Sequence, residues 1–410
     1  MKFEKQLKEY AYLTAKCGAN VRPGQYVTIT APVCAADFAV MVQEAAFELG
    51  AKDVEIQFSD DRAVKNRFIN ADISVVSDIP EWTVMHKTER AKTGGAIIHI
   101  IAEDPEALVG VPGEKLAARA KAAHKAFKEY NDLMDKGVVP WTIVAYPCDP
   151  WARKVFPGLP LAKARDELMK AILKTVRIGR GDAVKKWKSH DFRLKKRARI
   201  LNGHAFSALH FKNSLGTDLT VGLAEGHIWL GGSDKSTAKN KYFPNMPTEE
   251  IFTMPDCRRV NGKVAASMPL SYRGSLCDGF TIDFKDGKAV DYDAKVGKDV
   301  LKGIFDTDEG ALSLGEVALI PHDSPISNMG ILFYNTLFDE NASCHLALGD
   351  CYPNTVKGGE NMSREDLKAL GGNESAVHVD FMFGTADMKV TGITKDGKEI
   401  PVFENGNFVF

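Results

Sequence analysis

Two short stretches of this chain, LFYNTLFDENASCHLALGDCYP at 332–353 and AVHVDFMFG at 376–384, hold Glu340, His345, Tyr352, His378 and Asp380. These are the imidazoles, carboxylates and phenol that a metal-dependent hydrolase needs. His378 and Asp380 flank Val379 in an apparent strand, where alternate residues share a face, so one imidazole and one carboxylate can turn to one centre. Alone, that pair is a weak signal and more often a structural His–Asp contact. Glu316, in LGEVALIP, lies among apolar residues, where an ionised carboxylate is costly unless paired or bound to metal. A salt bridge to an arginine is the plain alternative.

Glu249 and Glu250 follow a proline in NMPTEEIFTMPD, a pattern that also fits the first turn of a helix with acids favoured by its dipole. Neither HExxH nor HxxEH occurs, so a metal site must be assembled from separate segments. Brought together, Glu250, Glu316, Glu340 and Asp380 would repel one another strongly without cations. Two divalent ions would neutralise them, and His345 and His378 would complete a mixed nitrogen and oxygen shell suited to zinc, cobalt or manganese. Cys344 and Cys351, beside these residues in sequence, read as packing thiols.

The elements that must position these groups fall into two kinds. QYVTIT (25–30), DVEIQFSD (53–60), GAIIHIIAED (95–104) and VPWTIVAYP (139–147) are strand-like and alternate with helical segments such as 35–51 and the run KLAARAKAAHKAFKEYNDLMDKG. That alternation predicts an α/β domain with a largely parallel open sheet over 1–190. Neither GxGxxG nor GxxxxGK[ST] accompanies it, which argues against nucleotide binding. The Lys/Arg-dense segment 176–204 reads as a solvated helix face. Beyond it, short alternating strands and the Asp-Gly turns of FKDGKAV and TKDGKEI predict a β-rich α+β domain over 191–410, carrying the metal site.

Composition bounds the partners. With 53 Lys+Arg against 54 Asp+Glu, no global field points to nucleic acid or an anionic membrane. No apolar run approaches membrane-spanning length. The 7 cysteines are scattered without CxxC, as reduced thiols in a cytoplasmic protein are. Of the sequons at Asn341, Asn361 and Asn373, the first lies inside the metal motif, where a glycan would be hard to tolerate.

Taken in order, NMPTEEIFTMPD, LGEVALIPHDSPIS, GILFYNTLFDENASCHLALGDCYP and HVDFMFG resemble the M29 family of metal-dependent aminopeptidases. The resemblance covers the C-terminal half strongly and the N-terminal half with less force. It implies a cytosolic exopeptidase that removes N-terminal residues from short peptides with a free N-terminus, using a dinuclear site. By position it implies Glu250, Glu316, Glu340, His345, His378 and Asp380 as metal ligands, and Tyr352 as the catalytic tyrosine. It further implies a homodimer enclosing a cavity. Cys351 stands where a small residue usually precedes that tyrosine. Glu316 is expected to bridge the ions, and Glu249, beside a ligand, to carry the proton to the leaving amine. The rival readings are a dinuclear hydrolase of another amide or ester, a metal-stabilised binding protein, and a structural protein with His378 and Asp380 paired in its core.

Overall fold

The computed structural model describes residues 2–272 and 274–410. By internal packing the chain forms two units, Met1–Ser189 with Ser233–Pro247, and His190–Gly232 with Thr248–Phe410.

In the first unit, strands Tyr26–Pro32, Asp53–Ser59, Ala96–Ile101 and Trp141–Ala145 form a parallel sheet. Asp53–Ser59 is an edge, followed by Tyr26–Pro32, Ala96–Ile101 and Trp141–Ala145. All four coincide with the expected strands to within a few residues. Val27, Ile29, Ala31, Ile98 and Ile100 bury one face. Helix Glu4–Leu13 serves that core through Tyr10, whose ring stacks on Phe38 at 4.9 Å. The Tyr10 hydroxyl is a double peg, accepting from the Ala145 N–H at 3.0 Å and donating to the Ala145 carbonyl at 3.2 Å. The opposite face, with Tyr26, Thr28, Thr30 and His99, is only half-buried. The long helix expected through KLAARAKAAHKAFKEYNDLMDKG is two helices, Gly113–Ala126 and Lys128–Asp135. The backbone leaves helical geometry at Phe127, whose ring packs edge-on against Tyr130 at 6.3 Å.

The second unit is β-rich. An eight-stranded antiparallel sheet runs in the order 288–293, 281–285, 255–265, 218–223, 208–212, 389–393, 399–404, 407–408. Its Asp286-Gly287 hairpin has φ of 48° and 83°, the left-handed pair that a two-residue turn between twisted strands requires. A Cβ on Gly287 would come within 1.8 Å of the Cys257 carbonyl oxygen, so glycine is needed for space as well as for torsion. The basic segment becomes helix Ala183–His204, and Leu194, Ala198 and Leu201 on one stripe of it join the core of this unit.

A second sheet has four strands. It runs His378–Met382, His345–Gly349, Leu314–Leu319, Ile251–Thr253, all antiparallel. Period-two alternation divides its residues, interrupted by a bulge between Leu314 and Glu316. Val317, Leu346, Leu348, Val379 and Phe381 enter the hydrophobic core. There Phe381 meets Phe280 edge to face at 5.6 Å, a geometry that adds about 0.5–1.5 kcal/mol beyond area burial. The intervening positions form the other face, where Ala347 lies across from both Glu316 and Asp380, Gly349 from His378, and Ala318 from His345. Small residues thus separate the charged ones and leave room above the sheet. Among the described residues no helix is long and apolar enough to cross a membrane.

Candidate metal centre

The polar face of the four-stranded sheet gathers two donor groups, Glu250–Glu316–His345 and Glu316–His378–Asp380. Glu316 belongs to both, and its two oxygens face different ways. Oε1 stands 3.5 Å from His345 Nε2, and Oε2 stands 3.6 Å from His378 Nε2. His345 Nε2 is also 3.4 Å from Glu250 Oε2, and His378 Nε2 is 3.3 Å from Asp380 Oδ1. Glu316 is 4% and His345 1% exposed, so these charges have little water to share.

Both imidazoles are oriented by the backbone. His345 Nδ1 donates to the Glu340 carbonyl at 2.9 Å, and His378 Nδ1 donates to the Asp350 carbonyl at 2.8 Å. A carbonyl can only accept, so Nδ1 carries the hydrogen in each ring and Nε2 is turned to the carboxylates. Asp350 is itself gripped in a fork by Arg364, Nη1 to Oδ1 at 3.0 Å and Nη2 to Oδ2 at 3.3 Å. Arg364 thereby fixes the turn whose carbonyl aims His378.

The electrostatics are those of a crowded, mostly acidic cluster. Burial opposes protonation of His345, yet Glu316, Glu250 and Asp380 outweigh it and push this imidazole up to about 10. Burial likewise opposes a charged His378, and Asp380 and Glu316 push it up to about 10. Burial, then Glu316 and Asp380, push Glu250 up to about 7 against the pull of the histidines. Glu340 is driven well above the usual carboxylate range by burial, Asp380 and Glu250, so the structure brings it into the same cluster, although neither three-residue group includes it. Divalent cations would replace the protons on this set and relieve its mutual repulsion.

Tyr352 borders the cluster. Its ring tilts against His378 with centroids 4.7 Å apart, and burial followed by Glu316, Asp380, Glu340 and Glu250 holds its phenol well above its ordinary range. The hydroxyl therefore stays protonated and able to donate. The residue as a whole remains 46% exposed. Glu249, by contrast, is in neither donor group, and its Oε2 lies 3.6 Å from His190 Nε2. The two adjacent glutamates thus serve different neighbourhoods.

Sequence reasoning missed the scaffold around these groups. Asn341 is 0% exposed, accepts from the Glu249 N–H at 2.7 Å and donates to the Leu337 carbonyl at 2.9 Å. It ties the Thr248–Glu250 segment to the turn that bears Glu340, and its burial excludes a glycan. Asp339 is pushed up to about 7 by burial although it accepts from the N–H groups of Phe333 at 2.7 Å and Asn335 at 3.0 Å. Asn373 donates to the carbonyls of Gly310 at 2.8 Å and Gly349 at 2.6 Å. Asp339 and Asn341 sit in the polar run DENAS, so nothing local marks their burial, and nothing local marks Arg364 or His190. The Cys344 and Cys351 thiols are buried and pushed up to about 12, and Cys344 donates to the Ile320 carbonyl at 3.3 Å.

Comparison with known proteins gives this geometry a family. The thermophilic metalloprotease (M29) family matches residues 3–408. The chain belongs to that family. Aminopeptidase AmpS of Bacillus subtilis is 42% identical over 408 residues, covering 100% of this chain and 99% of its own. Aminopeptidase T of Thermus thermophilus is 40% identical over 407 residues, with 99% of each covered. The solved structure of wild-type AmpT from Thermus thermophilus superposes with a TM-score of 0.93 at 39% identity, covering 100% of both chains. The likeness to this M29 structure spans both the α/β and the β-rich units.

Proposed function

We infer that this chain, a metal-dependent aminopeptidase, hydrolyses N-terminal residues from short peptides at a dinuclear centre bridged by Glu316. The observation that carries the dinuclear reading is the split of the Glu316 carboxylate, one oxygen toward His345 and the other toward His378. Glu250 and His345 would hold one ion, His378 and Asp380 the other, with Glu340 completing the shell. The donors fit zinc, cobalt or manganese: oxygen and neutral imidazole nitrogen, with both Nδ1 atoms committed to carbonyls and no thiolate in either group. When bound, such ions supply Lewis acidity and lower the pKa of a water toward neutrality.

The protein's own groups do the rest. Tyr352 donates a hydrogen bond to the oxyanion of the tetrahedral intermediate, a contact typically worth about 3 kcal/mol. Glu249 carries the proton to the leaving amine, with His190 as its buried neighbour. The Asp350–Arg364 fork and the Glu340 carbonyl keep the two imidazoles from turning away. A cytoplasmic homodimer is the setting that the family resemblance implies. The test pairs two measurements on one preparation: divalent ions per chain, and hydrolysis of free against N-acetylated peptides. Two ions with cleavage confined to free N-termini is the expected result. Comparable cleavage of blocked peptides would favour a hydrolase of another amide or ester.

A further inference from the structure

We propose that a cleft on the open face of the N-terminal parallel sheet binds a small organic carboxylate, with the Lys87 ammonium and the Thr28 and Tyr130 hydroxyls as its donors. The cleft, open to solvent, lies between this sheet face and the segments carrying Lys87 and Tyr130. Parallel sheets normally meet apolar helix faces on both sides. Here the floor carries Thr28, Thr30 and His99, and helix Glu81–Lys92 leaves Trp82 73% and Met85 57% exposed while Lys87 and Arg90 line the cleft.

Most of the polar lining is already committed. Thr30 bonds His99, while His86 and Arg90 pair with Glu55 at 3.1 and 3.6 Å. Among the described residues, the side chains of Thr28, Lys87 and Tyr130 have no hydrogen-bond partner in the chain. The Lys87 ammonium is held over the rings of Phe127 and Tyr130 at 5.1 and 5.9 Å, and no carboxylate pairs with it. Its charge reaches the floor, where burial first and this ammonium second lower His99 to about 4. Lys87 itself is lowered by burial and by the like charge of Arg119. Three uncommitted groups able to donate, one of them an ammonium that no carboxylate pairs with, suit an anionic acceptor. Ile97, Ala91 and Val139 give the cleft apolar walls, which suit an organic remainder over a bare inorganic ion. One ammonium and two hydroxyls match a carboxylate; a phosphate group would want more charge.

The acid has two possible sources, the free amino acids released by peptide hydrolysis or an unrelated acid, and only the first rests on the proposed function. Calorimetric titration of the full metal-loaded chain with phenylpropionate, phenylalanine and phenylpropionamide separates them. Phenylpropionate should bind saturably and the amide should not. Lys87→Met should weaken binding at least about tenfold, and Tyr130→Phe severalfold, with the circular dichroism of each variant unchanged. Phenylalanine binding as well as phenylpropionate identifies product as the ligand, and phenylpropionate alone identifies another acid. A repeat with chelated protein should leave binding intact. Absent binding, binding that Lys87→Met does not alter, or binding lost on chelation overturns the proposal. A chain that binds the acid yet cleaves no peptide would refute the proposed function alone.

Discussion

The two donor groups of the candidate metal centre share Glu316 but differ in access. The side chains of Glu250, Glu316 and His345 are 10%, 5% and 1% exposed, and those of Asp380 and His378 are 12% and 19% exposed, so the contrast is carried mainly by the two histidines. The difference follows from strand order. His345 lies on an interior strand buried at every position, while His378 and Asp380 lie on the edge strand of the sheet, beside the half-exposed Tyr352. An inner ion would therefore be shielded and slow to exchange, and an outer one would meet solvent and substrate.

The strongest perturbation removes what the halves share. Glu316→Gln should lower kcat on the order of a thousandfold or more, since a neutral amide cannot neutralise two cations; activity within tenfold of wild type would break the shared-carboxylate reading. Next comes Tyr352→Phe, expected to lower kcat by roughly two orders of magnitude with KM little changed, because its bond forms chiefly in the transition state. A normal kcat would reduce Tyr352 to a packing residue. The adjacent glutamates offer a sharper contrast. Glu250→Gln should lose metal affinity with activity, whereas Glu249→Gln should keep its ions and lose mainly kcat, and metal titration of each would expose exchanged roles. Access predicts that chelation is biphasic, the outer ion leaving first and activity falling with it, with Asp380→Asn abolishing only the fast phase. Smallest is Asn341→Ala, which strands the Glu249 N–H and should cost about 1–3 kcal/mol in urea unfolding.

Much of this was legible in sequence because the same period-two alternation that builds a strand also sorts its faces. HVD placed His378 and Asp380 together, and a carboxylate in the apolar run of LGEVALIP marked Glu316 as needing a partner. The Asp-Gly turn at 286–287 was legible for the same local reason. What stayed hidden depends on contacts between segments distant in sequence. Asn341 reaches Glu249 across 92 residues, and His190 meets that glutamate from a helix that reads as merely basic. The break at Phe127 carries no proline or glycine to announce it. Residues 233–247 pack with the first unit after the chain has entered the second, an excursion that composition does not mark.

The measurement closest to the shared-carboxylate claim is a count of tightly held divalent ions per chain, by elemental analysis after gel filtration, in wild type and in Glu316→Gln. Glu316 touching both halves predicts two ions in the wild type and a loss from both sites in the variant. A variant that still holds two ions, or a fully active wild type that holds only one, would contradict it.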